Sequence, residues 1–260
     1  MFKSALIGYT GFVGGNILRQ QQFQNLYNSK NIDDICGNYF DLVVCAGVSA
    51  VKWLANKEPE KDWDNIKALI TKLQKVHAKE FILISTVDVY PNPIDVDEDF
   101  SINLDECAPY GKHRRLLEEF VVDNFERITI VRLPGIFGEG LKKNIIYDFL
   151  NNKMLDCINS ENVFQFYDLK NVWKDINIAR NNNLKLINFA TEPTSVKEIA
   201  SVVLGSEFNS KLAQAPVLYN MRTKYSALFN SQVFGYIYTK KQVLQDLRVF
   251  VVKYRNQGDL

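Results

Sequence analysis

Three glycines spaced three apart, Gly8, Gly11 and Gly14, are the first residues of this sequence able to do chemistry with a ligand. They follow the apolar run Ala5-Leu6-Ile7, and a helical pattern starts inside them. That is how a strand turns tightly into a helix whose start faces a diphosphate. Gly8 permits the tight turn, Gly11 lets the backbone approach a pyrophosphate, and Gly14 lets the helix pack closely on the sheet. The free N–H groups of the first helical turn, with the helix dipole, attract the anion. The stretch Gly8, Thr10, Gly11, Phe12, Val13 and Gly14 therefore reads as a dinucleotide-binding turn; the plain alternative is a structural turn.

Few other residues compete for a chemical role. The four cysteines, Cys36, Cys45, Cys107 and Cys157, stand singly, and Cys45 lies in an apolar run where a buried thiol is expected. The two histidines, His77 and His113, are not in metal-ligand spacing, so no metal site is expected. A net charge of +1 with no long run of one sign argues against nucleic-acid binding. No apolar run is long enough for a bilayer, so no membrane partner is expected. Met1 leads into the first strand without a basic leader, which gives the expectation of a cytoplasmic protein.

The elements that must position the glycine turn alternate between strand and helix. Gln22–Asn28 is a weak second strand and Asn31–Ile35 a short turn or helix. Asp41–Gly47 reads as a buried parallel strand ending in small residues. Lys61–Ala78 carries Trp63, Ile66, Leu69, Ile70, Leu73 and Val76 at helical spacing. Glu80–Thr86 and Ile128–Leu133 are strands. Between them lie an acidic loop, Pro91–Pro109, and a helix, Tyr110–Phe125. Further on come a helix over Asn144–Asn152 and a strand over Val163–Tyr167. A core strand over Leu184–Ala190 follows, then a helix over Ser195–Gly205 with Thr194 or Ser195 as its cap, Glu198 behind it and Gly205 as terminator, and a last helix over Thr239–Tyr254. The alternation predicts an α/β fold, a doubly wound parallel sheet covered on both faces, whose ligands bind at the carboxyl ends of the strands.

Three stretches at those ends carry a resemblance. Gly8-x-x-Gly11-x-x-Gly14, Ile84-Ser85-Thr86-Val87-Asp88-Val89-Tyr90-Pro91 and Tyr110-Gly111-Lys112-His113-Arg114 together resemble the extended short-chain dehydrogenase/reductase family, the epimerases, dehydratases and ketoreductases of nucleotide sugars. Val131–Gly138 and Phe164–Asp168 look like further family segments. The resemblance implies a Rossmann-like sheet with a small C-terminal substrate lobe. Residues 1–138 and 170–190 would bind the dinucleotide, and 139–169 with 191–260 would form the lobe. It also implies that Tyr110 is the proton-transferring phenol, that Thr86 orients the reacting oxygen, and that residue 114 is the nearby cation. A cation lowers a tyrosine pKa by favouring phenolate. The family has lysine there and this chain has Arg114, which either tunes Tyr110 with a fixed charge or is a surface residue of an inactive domain. Val87-Asp88 lacks the Asp-Glu pair of the family's 4,6-dehydratases. Asp88 itself could be a functional acid or a turn residue.

The cofactor-binding set expected beyond the glycine turn is Asn28, Ser29, Lys30, Ala46, Gly47, Ser85, Tyr110, Arg114, Leu133 and Pro134. Asn28-Ser29-Lys30 offers no carboxylate for ribose hydroxyls and a lysine for a phosphate, which favours NADP over NAD. Arg19 is a further cation, and Asp33 or Asp34 would be the acid if the second strand runs longer. Lys52, Trp53, Lys142, Lys143, Asn144, Arg222 and Lys224 are candidates for the substrate side. The activity expected is NADPH-dependent reduction of a 4-keto nucleotide sugar, as in deoxysugar and surface-polysaccharide biosynthesis. The alternatives are an NAD-dependent nucleotide-sugar epimerase and a non-catalytic NAD(P)-binding sensor or scaffold. The resemblance also implies a homodimer built on the helices at Lys61–Ala78 and Tyr110–Phe125.

Overall fold

The apolar runs become strands because alternate residues along each are buried on opposite faces. In a computed structural model, which describes residues 2–258, the chain opens with β1 (Ser4–Ile7), α1 (Phe12–Gln20), β2 (Asn25–Tyr27) and β3 (Tyr39–Cys45). There follow α2 (Lys52–Lys57), α3 (Pro59–Leu73), β4 (His77–Thr86), α4 (Pro109–Asn124), β5 (Ile128–Leu133) and β6 (Gly135–Phe137). Next come α5 (Ile145–Leu150), β7 (Val163–Phe164), β8 (Phe166–Asp168), α6 (Val172–Asn181) and β9 (Leu186–Asn188). The last elements are β10 (Thr194–Ser195), α7 (Val196–Leu204) and α8 (Lys240–Gly258).

The chain divides into two units. The first comprises Met1–Asn92, Asp99–Leu133 and Val172–Ile187. It is built on a six-stranded sheet of order β2-β1-β3-β4-β5-β9, and β1 pairs in parallel with β2 and β3, β3 with β4, and β4 with β5. Ala5, Ile7, Val43, Cys45, Phe81, Leu83, Ile128 and Ile130 point into one core with Ile66 and Leu73 of α3 and Leu117 and Val121 of α4. Their neighbours Leu6, Val44, Ile82 and Val131 are also buried, on the face that α1 and α6 cover. Trp173 of α6 meets Phe23 edge to face, and its backbone N–H donates to Gln20 of α1. Period-two burial on both faces is what a doubly wound sheet requires.

The second unit comprises Pro93–Glu98, Pro134–Asn171 and Asn188–Leu260. It starts at Pro134, not after residue 138, because β6 pairs in parallel with β8 of the same unit. Pro93–Glu98 belongs to it as well: Ile94 bridges to Asn220, and the Glu98 carboxylate accepts the backbone N–H groups of Asn188 and Lys224. Ser195 and Glu198 form a full capping box on α7, and Gly205 ends that helix at φ +74°, which the sequence signals anticipate.

Some elements differ from expectation. The helix expected to reach Ala78 stops at Leu73, since His77 and Ala78 pair with Tyr39 and Phe40 and open β4. Val163–Tyr167 is two strands, broken at Gln165, whose buried side chain bonds the backbone of Thr191 and Met221. Helices α2 and α6 were not anticipated. Their short apolar stripes lie in stretches read as ligand loop and as irregular chain.

Candidate active site

The glycine turn has the geometry its spacing predicts. Gly8 sits at φ +83°, and a Cβ there would lie 2.5 Å from the Ala46 carbonyl oxygen. A Cβ on Gly14 would lie 2.1 Å from the Gly8 carbonyl oxygen, so α1 rests on the turn as closely as backbone allows. Thr10 and Gly11 are exposed, and Phe12 and Val13 are half-buried. Gly11 caps α1 without a side-chain hydrogen bond, and the first turn holds no acid. Its amide groups are therefore free of side-chain partners and of negative charge, as an anion-binding helix start needs. Ala46 and Gly47 follow β3 beside this turn, with the Ala46 N–H bonded to the Ile7 carbonyl at 2.9 Å. These residues fit a dinucleotide.

At the end of β2, the Asn28 side-chain oxygen accepts the Lys30 N–H at 2.8 Å, and its amide donates to the Tyr9 hydroxyl at 3.1 Å. Ser29 and Lys30 are exposed. Asp33 is engaged by an ion pair with Lys72. Arg19 lies in the last turn of α1, with Nη1 3.4 Å from where a Cβ on Gly15 would stand.

Tyr110, Thr86 and Arg114 come together at the carboxyl ends of β4 and β5. Thr86, the last residue of β4, pairs across the sheet with Leu133. Its hydroxyl accepts the Asp88 N–H at 3.1 Å and hydrogen-bonds the Tyr110 phenol, so it both caps the turn and faces the tyrosine. Tyr110 is held at the start of α4, where its N–H donates to the Asn56 side chain at 2.9 Å. Gly111 next to it is required: a Cβ there would lie 2.0 Å from the Asp88 carbonyl oxygen. Pro134 is buried at the head of the second unit.

Arg114 is not a surface residue. It is 4% exposed, and its guanidinium lies over the Tyr110 ring, 3.8 Å from the centroid. Nη1 donates to Asp62 Oδ2 at 2.7 Å and to the Tyr110 carbonyl at 2.9 Å. Nη2 donates to Asp62 Oδ1 at 2.9 Å and to the Ser49 carbonyl at 2.6 Å. All four terminal N–H groups are thus engaged within the protein, which corrects the expectation that Arg114 binds the cofactor through these nitrogens. Asp62 Oδ2 also meets His113 Nδ1 at 2.7 Å, and the His113 ring packs on Trp63. Burial pushes the Asp62 carboxyl up, but the hydrogen bonds from Arg114 and His113 outweigh it and hold the pKa below the usual carboxylate value.

The Tyr110 pKa does not fall towards neutrality. Burial raises it and dominates; Arg114, Lys52 and the Thr86 hydrogen bond pull it down, and Asp88 pushes it up. The net effect favours the protonated phenol. Lys52 pairs with Asp88 at 2.7 Å, so neither is a simple solvated charge, whereas Trp53 is 68% exposed.

Three expected contacts are redirected. The Ser85 hydroxyl donates to Glu118 at 2.5 Å, inside a buried network with Arg132 and Tyr90. Asn144 caps α5, accepting from the N–H groups of Ile146 and Tyr147, and so serves the helix. Arg222 pairs with Asp95 at 3.1 Å and Lys224 bonds Glu98 through its backbone, so acids already flank that supposed anion site. Asp62, Asn56 and Glu118 were missed. Asp62 did carry a signal: it precedes Ile66, Leu69 and Leu73 at helical spacing, an acid on an apolar stripe.

The sheet order and the glycine turn define a Rossmann-like α/β fold, with Thr86 and Tyr110 together at its strand ends. No protein-family model matches the chain, and no curated protein matches it by sequence. Solved structures do. A UDP-N-acetylglucosamine 4-epimerase from Methanobrevibacter ruminantium is 15% identical with a TM-score of 0.74, over 98% of this chain and 99% of that one. A dTDP-4-dehydrorhamnose reductase from Bacillus anthracis, solved with NADP, is 15% identical with a TM-score of 0.73, over 97% and 99%. An NAD-dependent NDP-hexosamine 5,6-dehydratase gives 15% and 0.73, over 98% of both chains. The chain thus has the fold of the extended short-chain dehydrogenase/reductase enzymes that its motifs resemble.

Proposed function

We propose that this protein is an NADPH-dependent reductase of a 4-keto nucleotide sugar. The observation that carries the reading is a buried Tyr110 hydrogen-bonded to Thr86 at the carboxyl end of β4, its pKa raised by burial. A carbonyl being reduced needs a proton at its oxygen, and a phenol kept neutral at working pH holds one ready. Thr86 orients the same oxygen with its hydroxyl. The nicotinamide, when bound, supplies the hydride. Gly8, Thr10, Gly11, Phe12, Val13 and Gly14 would hold the diphosphate, with Ala46, Gly47 and Leu133 near the nicotinamide. NADP is favoured over NAD because Asn28, Ser29 and Lys30 carry no carboxylate and Asp33 is engaged by Lys72. The fold is shared with solved enzymes of both cofactor types, so the preference rests on these side chains alone. A homodimer through α3 and α4 is part of the same reading and is checked by sedimentation equilibrium.

The test is NADPH oxidation against dTDP-, GDP- and UDP-linked 4-keto-6-deoxysugars, with Tyr110→Phe alongside. Turnover on one panel member that drops by about 100-fold or more in the variant is expected. Retained NAD without net NADPH consumption overturns the reading in favour of an epimerase. NADPH binding with no turnover on any panel member points to a non-catalytic module.

A further inference from the structure

At the position where the resembled family carries a lysine, a different device has been built. An arginine carries a fixed charge, and both terminal nitrogens of Arg114 are held by hydrogen bonds. Two of the four hydrogen bonds are donated to one carboxylate on another helix, Asp62 of α3, which accepts from the guanidinium in parallel at 2.7 and 2.9 Å. The fork leaves the guanidinium plane little freedom except to lie over the Tyr110 ring. Asp62 is itself about nine-tenths buried, and His113 Nδ1 at 2.7 Å holds its Oδ2 from the other side.

We propose that Asp62 is a positioning residue for proton donation by Tyr110: it clamps Arg114 over the phenol ring so that a fixed charge replaces a mobile amine beside the reacting group. Asp62 touches no reacting atom and acts only through Arg114. The charged groups that act on Tyr110 are Arg114 on its own helix, Lys52 on α2 and Asp88 after β4, while Asp62 on α3 and the His113 ring stand behind Arg114. The inference rests on Tyr110 being the proton donor, but its test needs neither substrate nor cofactor.

A fluorine label on the Tyr110 ring brings the phenol's ionisation into an accessible pH range and gives one resonance to follow in the ligand-free protein. Asp62→Asn then separates two roles by sign. If Asp62 is only a nearby negative charge, removing it stabilises phenolate and lowers the titration midpoint. If Asp62 clamps Arg114, its loss releases the cation from the ring, and the midpoint rises. The rise is the expected result, and in the active enzyme it is accompanied by a loss of about 100-fold in kcat with little change in KM. An unchanged or lower midpoint overturns the proposal. Should Asp62→Asn fail to melt cooperatively, Asp62→Glu decides: it keeps the charge and displaces the fork, so a raised midpoint supports the clamp and a wild-type midpoint refutes it. Failure of the keto-sugar panel leaves this titration readable, so the two readings fail separately.

Discussion

At the scale of single residues, this site is organised by paired charges out of water. Arg114 with Asp62 fixes the cation over Tyr110. Arg132 with Glu118 is a second such pair: the carboxylate is fully buried, accepts from Arg132 Nη2 at 2.6 Å, and takes the Ser85 hydroxyl. Such pairs add little against a well-packed apolar substitute, yet breaking one leaves an uncompensated buried charge. Arg132→Met is therefore expected to destabilise the protein by about 3–5 kcal/mol. The companion change Glu118→Leu should restore most of it. Denaturant midpoints of the single and double variants check this, and a single variant within 1 kcal/mol of wild type would refute the buried-pair account. Cys45 illustrates the opposite choice: without a charged partner, burial pushes its thiol up to about 11, and it serves as a small apolar side chain.

At the scale of elements, two helix starts show how the same backbone problem is solved differently. The first turn of α7 is closed by the Ser195–Glu198 box, which satisfies the free N–H groups locally. The first turn of α1 carries no side-chain cap. Ser195→Ala should thus cost about 1 kcal/mol of stability and leave dinucleotide binding alone. Gly14→Ala should do more at α1, because its Cβ would meet the Gly8 carbonyl at 2.1 Å and force helix and turn apart. Loss of NADPH fluorescence enhancement in Gly14→Ala but not in Ser195→Ala is the expected outcome. Equal binding in both would remove the glycine turn from the site.

At the scale of the whole molecule, the chain leaves its first unit at Pro93, returns at Asp99, and leaves again at Pro134. The short excursion is tied into the second unit by Glu98, whose carboxylate takes the N–H groups of Asn188 and Lys224 and the Thr223 hydroxyl. Burial raises the Glu98 pKa above its ordinary 4.5, outweighing those hydrogen bonds. The folded state then favours the protonated form. Its contribution is fully present below pH 4.5 and is lost as pH rises through the folded pKa. Glu98→Gln should remove that component: the difference in melting temperature, variant minus wild type, is expected to grow as pH is raised from 4 to 7. A difference that is flat in pH would show that Glu98 titrates as in the unfolded chain.

Local sequence determined the strands, the glycine turn and most helices, because period-two and period-3.6 burial and the demands of φ are properties of neighbouring residues. It placed Thr86 and Tyr110 at strand ends, and it read the α7 cap and the Gly205 stop directly. It did not determine what Arg114 does. Its spacing from Tyr110 put the two on one helix face, but the carboxylate that holds the guanidinium lies 52 residues away in sequence. The Tyr110 pKa is raised for the same reason: the burial that dominates it depends on what packs around α4, not on that helix alone. The end of β4, where Ser85 turns to Glu118, and the attachment of Pro93–Glu98 were likewise decided by partners distant in sequence. Pairing over such distances is a matter of tertiary packing, and no local pattern encodes it.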